Sequence, residues 1–441
     1  MRHAPIAAAL FIENRKRLTS NLKTKSLAIV NANDIAPTAT DGSAAYYPQD
    51  DLFWLTGIEQ EESILLLAPD AFNERLRCIL FIREPTPHLR VWEGEKLSKE
   101  QARTISGIDD VRWVSEFPLC LRSSMCESEF VYLNSNEHPR ATVDSDSRDA
   151  RFIMGLQRQF PLHQYQRLAP LLAELRMVKS PSEIALIKQA CDITREGFLD
   201  VLPMLQPGVN ECEVEAVYAH AFISRRGRMA YNPIIASGAN SCILHYNAND
   251  RVCQSGEVLL LDVASSYANY NSDLTRTIPV NGRFSKRQRA VYDAVLRTVK
   301  LMTKLAIPGK LLRDWQKECE VAVTEELLTL GLLSIKEVKK QTDQALACKK
   351  YFMHGCGHHI GLGVHDLGPA QRPLVKGCVI TIEPGIYIPE EGFGIRIEND
   401  IVINDQSGAI DLMADTPVEA DEIEQLMNAK KKQKPPAIRR K

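Results

Sequence analysis

Residues 351–400 read YFMHGCGHHIGLGVHDLGPAQRPLVKGCVITIEPGIYIPEEGFGIRIEND, and four of the chain's ten histidines fall between His354 and His365. The second half alternates. In VITIEPGIYI and GFGIRIENDIVI the neighbours of Glu383 and Glu398 are apolar and mostly β-branched, the period of half-buried strands, and Pro-Glu-Glu-Gly between the two runs is a turn. The spacing predicts a hairpin with the two glutamates facing each other. A second stretch, LLLDVASSYANYNSDLTRTIPV at 259–280, repeats the device. Its connection SSYANYN is expected to bring Asp262 opposite Asp273.

Each hairpin then holds two like charges on one face, which destabilises a sheet unless something cationic lies between them. No lysine stands in either cluster, and the nearby basic residues are Arg276 and Arg396. Two divalent cations would balance four carboxylates. One acid in a strand is ordinarily a rim or turn residue; the same pair twice, with a histidine-rich loop between, points to a two-metal hydrolase. Gly355, Gly357, Gly361 and Gly363 around His354, His358 and His359 suit close backbone approach and unusual dihedrals. One imidazole binding metal while another handles protons is a common division of labour, and His358 and His365 fit it. His359 is read as a satisfied core histidine.

These motifs, LLLD, DLTRT, HGxGHxIGLxVHD, TIEPG and GIRIEND, resemble those of the metal-dependent pita-bread peptidases, and among them the Xaa-Pro aminopeptidases. The resemblance runs from about Arg15 to about Ala429. It implies an α/β (α+β) chain with a creatinase/prolidase-like α/β domain followed by a C-terminal pita-bread catalytic domain. It implies Asp262, Asp273, His358, Glu383 and Glu398 as ligands of a dinuclear centre, Asp273 and Glu398 bridging, with His359 the alternative to His358. His245 in ILHYN, His354 and His365 match the substrate-contacting and supporting histidines, and Arg396 the motif arginine. The implied reaction is hydrolysis of the bond between an N-terminal residue and a following proline by a hydroxide held between the metals. Glu383 would shuttle the proton, His365 would bind the carbonyl oxygen, and His245 would hold the leaving side. Such a bond is a tertiary amide without an N–H, so it needs a dedicated cleft. Four carboxylates and one imidazole are a hard set that favours Mn(II), with Mg(II), Co(II) or Zn(II) able to bind.

Two other readings remain open at this level. Prolidase would use the same ligands on dipeptides alone, and a non-catalytic pita-bread binding module would be expected to have lost ligands that are all present. Methionine aminopeptidase is disfavoured, since it would lack the first ~160 residues as a separate domain.

The rest of the chain is consistent with this. A length of 441 residues implies two or three domains, and 54 basic against 56 acidic residues recruits no nucleic acid. Eleven cysteines without a CxxC argue for a reducing, cytoplasmic location. The opening MRHAPIAAALFIENRKRL reads as the first helix of a folded domain rather than a signal peptide, and no run is long enough to span a membrane. Residues 1–162 carry a helix and the strands SLAIVN, SILLLA, RCILFI and EFVYLN, an α/β domain; the resemblance implies that it makes homo-oligomer (dimer or tetramer) contacts. Trp92 in VWEGEKL is either an intersubunit residue or an ordinary packing tryptophan. A linker helix is expected over 163–176, and the metallopeptidase domain over 177–429. Within the latter, Ser180, Asn210 and Ser285 open helices, Ser180 and Ser285 in capping boxes with Glu183 and Gln288. Between the helices that follow Asn210 and Ser285 a strand is expected at ILHYN, 243–247, ahead of the first hairpin. A further helix carries Trp315, Cys319 and Leu327. Residues 430–441, KKKQKPPAIRRK, are read as a basic flexible tail.

Overall fold

The structure is a computed structural model that describes residues 3–141, 146–342 and 344–429; the tail expected at 430–441 lies outside them. The described residues form two compact units, His3–Arg176 and Met177 onward.

The first unit is built on a six-stranded sheet: β1 Ser26–Asn31, β2 Ile64–Leu67, β3 Cys78–Ile82, β4 Asp110–Trp113, β5 Phe130–Leu133 and β6 Gln164–Arg167, in the order β4-β3-β2-β1-β5-β6. The central strands are the four apolar runs legible in the sequence, and they are buried almost throughout. β6 corrects the linker expectation. Gln164–Arg167 is not helical but pairs parallel with β5, because Tyr165 packs on the core of this unit and its hydroxyl donates to the Phe160 carbonyl at 2.8 Å. Only Ala169–Met177 is helix. Trp92 is 75% exposed on a short helix, Pro87–Glu93, so it is no packing tryptophan of this chain.

In the second unit the expected helices form. Pro181–Val201, Glu211–Ser224 and Lys286–Leu305 each begin with a capping box, and Leu312–Thr329 buries Trp315, Cys319 and Leu327. Their strands follow in chain order: β7 Arg228–Met229, β8 Ile234–Ser237, β9 Val258–Asp262, β10 Ser265–Tyr267, β11 Tyr270–Asn271, β12 Thr275–Pro279, β13 Val379–Ile382, β14 Gly385–Ile388, β15 Phe393–Arg396, β16 Asn399–Asp405 and β17 Gly408–Asp411. The ILHYN segment is a correction: residues 243–247 are turn and coil after a 3-10 stretch, Gly238–Cys242, and the strand lies earlier at β8.

β9–β10 and β11–β12 form one long hairpin, reversed by the two-residue turn Ala268-Asn269, where both residues have positive φ (50° and 65°). This is the type I′ geometry whose twist matches paired strands. β13–β14 and β15–β16 form the second hairpin around Pro389–Gly392. The two lie edge to edge: Glu398 N–H donates to the Thr275 carbonyl at 3.0 Å, and Arg396 N–H to Thr277 Oγ1 at 3.2 Å. Their strands are not half-buried as alternation suggests. β12, β13, β14 and β15 are buried at every position. The polar positions face a basin that is itself largely closed from solvent.

Candidate metal centre

The hairpin registers place the four acids. In the second hairpin Ile382 pairs with Asn399 and Gly385 with Arg396, which leaves Glu383 directly across from Glu398, as the spacing predicts. In the first, Asp262 pairs with Thr275, not Asp273. The turn at Ala268-Asn269 sets Asp273 across from Ala264, so the aspartates are diagonal neighbours on one face. Such neighbours lie within reach of each other.

The loop from Tyr351 to His358 supplies the imidazole. His358 N–H donates to Thr381 Oγ1 at 3.0 Å, and Thr381 N–H to the His358 carbonyl at 2.8 Å. Gly357 permits this approach, since a Cβ there would lie 2.1 Å from the Thr381 carbonyl oxygen. A Cβ at Gly361 would likewise lie 2.3 Å from Asp366 Oδ2, whereas one at Gly355 would meet nothing closer than 3.8 Å; none of Gly355, Gly357, Gly361 or Gly363 takes a positive φ. His358 Nδ1 lies 3.0 Å from the His359 carbonyl and therefore carries the proton, leaving Nε2 as the electron-pair donor. That Nε2 sits 3.6 Å from Asp273 Oδ2 and 3.7 Å from Glu383 Oε1. One donor atom from each of Asp273, His358 and Glu398 lies within 4.8 Å of the other two. His359 is buried outside this cluster, a core histidine as expected but not a satisfied one, since its Nδ1 has no hydrogen-bond partner among the described residues.

The donor set fits divalent cations. Burial and the neighbouring acids push Glu398 well above the usual carboxylate range; burial raises Asp262 too, against the pull of Arg396. Burial, with Asp273 adding to it, pushes Glu383 up to about 7 while His358 and Arg396 pull the other way. Burial works to lower His358, but Asp273 and Glu383 prevail and raise it to about 9. Tyr231 makes the same point: its hydroxyl lies 2.6 Å from Oδ1 of both Asp262 and Asp273 and has one proton for the two. The protein's own charge at the basin is Arg396, which donates from Nη2 to Asp262 Oδ2 at 2.6 Å, from Nη1 to the Tyr387 hydroxyl at 2.9 Å and from Nε to Thr275 Oγ1 at 3.1 Å. Thr275 Oγ1 in turn donates to Glu398 Oε2 at 2.7 Å. Arg276 instead reaches backbone carbonyls, those of Thr275, Glu398 and Pro417.

The other three histidines divide. His354 has both ring nitrogens engaged, Nδ1 with the Gly355 carbonyl and Nε2 with the Tyr387 hydroxyl, each at 2.7 Å. Burial, then the Arg396 charge, lowers it to about 3, so it is neutral. His365 is exposed and meets His358 edge to face, ring centroids 4.3 Å apart. His245 is also exposed, near enough to His354 to act on it electrostatically. Tyr231, Thr275 and Tyr387 were not anticipated. No spacing marks Tyr231 in RMAYNP, and Tyr387 reads as one more apolar strand residue in GIYI.

These charges predict how the metal-free protein responds to pH. Glu383 and His358 are both raised in the folded chain, so folding takes up protons: the stability they contribute is present at low pH and is lost as pH rises toward about 7 and about 9 respectively. In chelator, the melting temperature is expected to fall between pH 6.5 and 9, and added divalent metal to remove most of the fall. A melting temperature rising over that interval would contradict the site as described.

Compared with known proteins, residues 185–405 match metallopeptidase family M24 and residues 11–144 the aminopeptidase P N-terminal domain. The Xaa-Pro aminopeptidase of Haemophilus influenzae is 33% identical over 95% of this chain and 97% of its own length. That of Escherichia coli is 32% identical over 96% and 98%. Zinc-substituted E. coli aminopeptidase P in complex with product superposes with a TM-score of 0.85 at 29% identity, over 97% of this chain and 99% of that one. The architecture is therefore the two-domain α/β fold of those structures, an aminopeptidase P N-terminal domain followed by a pita-bread domain.

Proposed function

Since the chain belongs to metallopeptidase family M24 and is a metal-dependent exopeptidase that cleaves the N-terminal Xaa-Pro bond, we propose that Asp262, Asp273, His358, Glu383 and Glu398 hold two divalent cations, natively Mn(II). What supports this is that buried Asp273 and Glu398 converge with an oriented imidazole nitrogen of His358, while half-buried Asp262 and Glu383 stand beside them on the same two hairpins. When bound, the metals lower the pKa of a coordinated water toward ~7 and polarise the scissile carbonyl.

The chain's own residues do the rest. Glu383 accepts the proton of the attacking water and returns it to the proline nitrogen, which cannot otherwise depart. His365, on the rim beside His358, donates to the carbonyl oxygen as charge develops there. His245 holds the substrate on the leaving side. His354, with both nitrogens occupied, works through Tyr387 by keeping that hydroxyl and Arg396 in place. A cytoplasmic, homo-oligomeric enzyme is part of the same proposal, supported by eleven free cysteines and the exposed Trp92. Among the described residues no helix is long and apolar enough to cross a membrane.

A substrate and metal panel tests this reading. Arg-Pro-Pro is expected to be hydrolysed well and the dipeptide Gly-Pro poorly. Chelation is expected to abolish activity, and Mn(II) to restore more of it than Zn(II) does. Activity confined to the dipeptide would replace this reading with a dipeptidase.

A further inference from the structure

Beneath the basin lies a buried polar layer that the ligand set does not explain. Cys191 and Thr194 stand three residues apart on helix Pro181–Val201, hence on one face, and each reaches a different hairpin. Thr194 Oγ1 accepts from Ser265 N–H at 2.8 Å and lies 2.8 Å from Ser272 Oγ, the residue before Asp273. The Cys191 thiol donates to Asp400 Oδ2 at 3.5 Å. That same oxygen accepts the backbone N–H of Asp273 at 2.9 Å. Cys191, Thr194, Ser272 and Asp400 are each at most 1% exposed.

Asp400 is the anomaly. It is a fully buried acid, its Oδ1 has no hydrogen-bond partner among the described residues, and no lysine or arginine pairs with it there. An apolar side chain would fill the space without that desolvation. Asp400 stands two residues beyond Glu398 at the start of β16, while its carboxylate grips the backbone of Asp273 in the other hairpin. One side chain thus ties the chain that carries Glu398 to the backbone that carries Asp273, the two acids that meet at His358.

We propose that Asp400, steadied by Cys191 and by the Thr194–Ser272 bond, is a positioning residue that fixes Asp273 relative to Glu398 and thereby sets the affinity of the centre for its cations. This rests on the reading of Asp273 and Glu398 as ligands. The test is Mn(II) binding to the chelator-stripped full chain, by calorimetry. Supporting groups behind metal ligands typically contribute ~10–100-fold in affinity, and a loss of that size is expected for Asp400→Leu. Asp400→Asn is expected to stay within about threefold of wild type, since its amide oxygen still accepts the Asp273 N–H. The Mn(II) concentration for half-maximal rate is expected to shift with the binding constant, while KM for Arg-Pro-Pro at saturating metal does not move. A folded Asp400→Leu chain that binds Mn(II) as tightly as wild type would overturn the proposal. Should that variant not fold, Thr194→Val and Cys191→Ala decide: weaker binding in either supports the clamp, and unchanged binding in both overturns it. A wild-type chain that takes up no Mn(II) would instead overturn the ligand reading beneath it.

Discussion

Changing Asp273 to Asn, or Glu398 to Gln, is expected to lower kcat/KM for Arg-Pro-Pro by ~10³-fold or more, about 4 kcal/mol of transition-state stabilisation. These two acids share their position with His358, and each is held on a second side by a hydroxyl, Asp273 by Tyr231 and Glu398 by Thr275. An amide keeps the volume and one acceptor but removes the charge, so a residue that bridges two cations fails toward both. His245→Ala, by contrast, removes an exposed side chain proposed to hold substrate, and a loss of ~10²-fold or less is expected. The check is kcat/KM together with metal content on the same samples. Either variant keeping its metal and losing no more than His245→Ala would remove Asp273 and Glu398 from the centre.

Arg396→Lys carries the second large effect. The guanidinium is 4% exposed and spends three separate N–H groups on Asp262, Tyr387 and Thr275. Through Thr275 it reaches Glu398, and through Tyr387 it reaches His354. A lysine ammonium is a point charge on a flexible stem and cannot serve three acceptors in the plane of a fork. At least one buried acceptor then loses its partner, and breaking a buried ion pair this way costs about 3–5 kcal/mol. The variant is expected to melt well below wild type in chelator, to recover part of the difference with metal, and to lose ~10²-fold or more in kcat/KM. Stability and activity both within twofold of wild type would mean that the network does not organise the basin.

The hairpins were legible because acids interrupt runs that are otherwise apolar and β-branched, and Glu383 and Glu398 stand symmetrically about Pro-Glu-Glu-Gly. The diagonal offset of Asp262 and Asp273 was not. Register there is fixed by a two-residue turn in which Ala268 takes a φ of 50°, and alanine gives no sign of that conformation. The strands missed in the first unit, DVRW and QYQR, are the two edges of its sheet. Edge strands carry polar side chains and so lack the alternation that marks a half-buried one. Asp400 and Tyr231 escaped for a related reason: their importance lies in contacts with residues more than 30 positions away, between elements whose packing no local pattern encodes. The loop around His245 was expected to be a strand, but its backbone turns at Asn240 and again at Ile243.

The most direct test of the account is to strip the chain of metal and titrate Mn(II) back while following both bound ion and hydrolysis of Arg-Pro-Pro. No turnover is expected in the stripped chain, with uptake of two ions per chain and full activity only as the second is filled. Full turnover in the stripped chain, or a rate indifferent to bound metal, would contradict it.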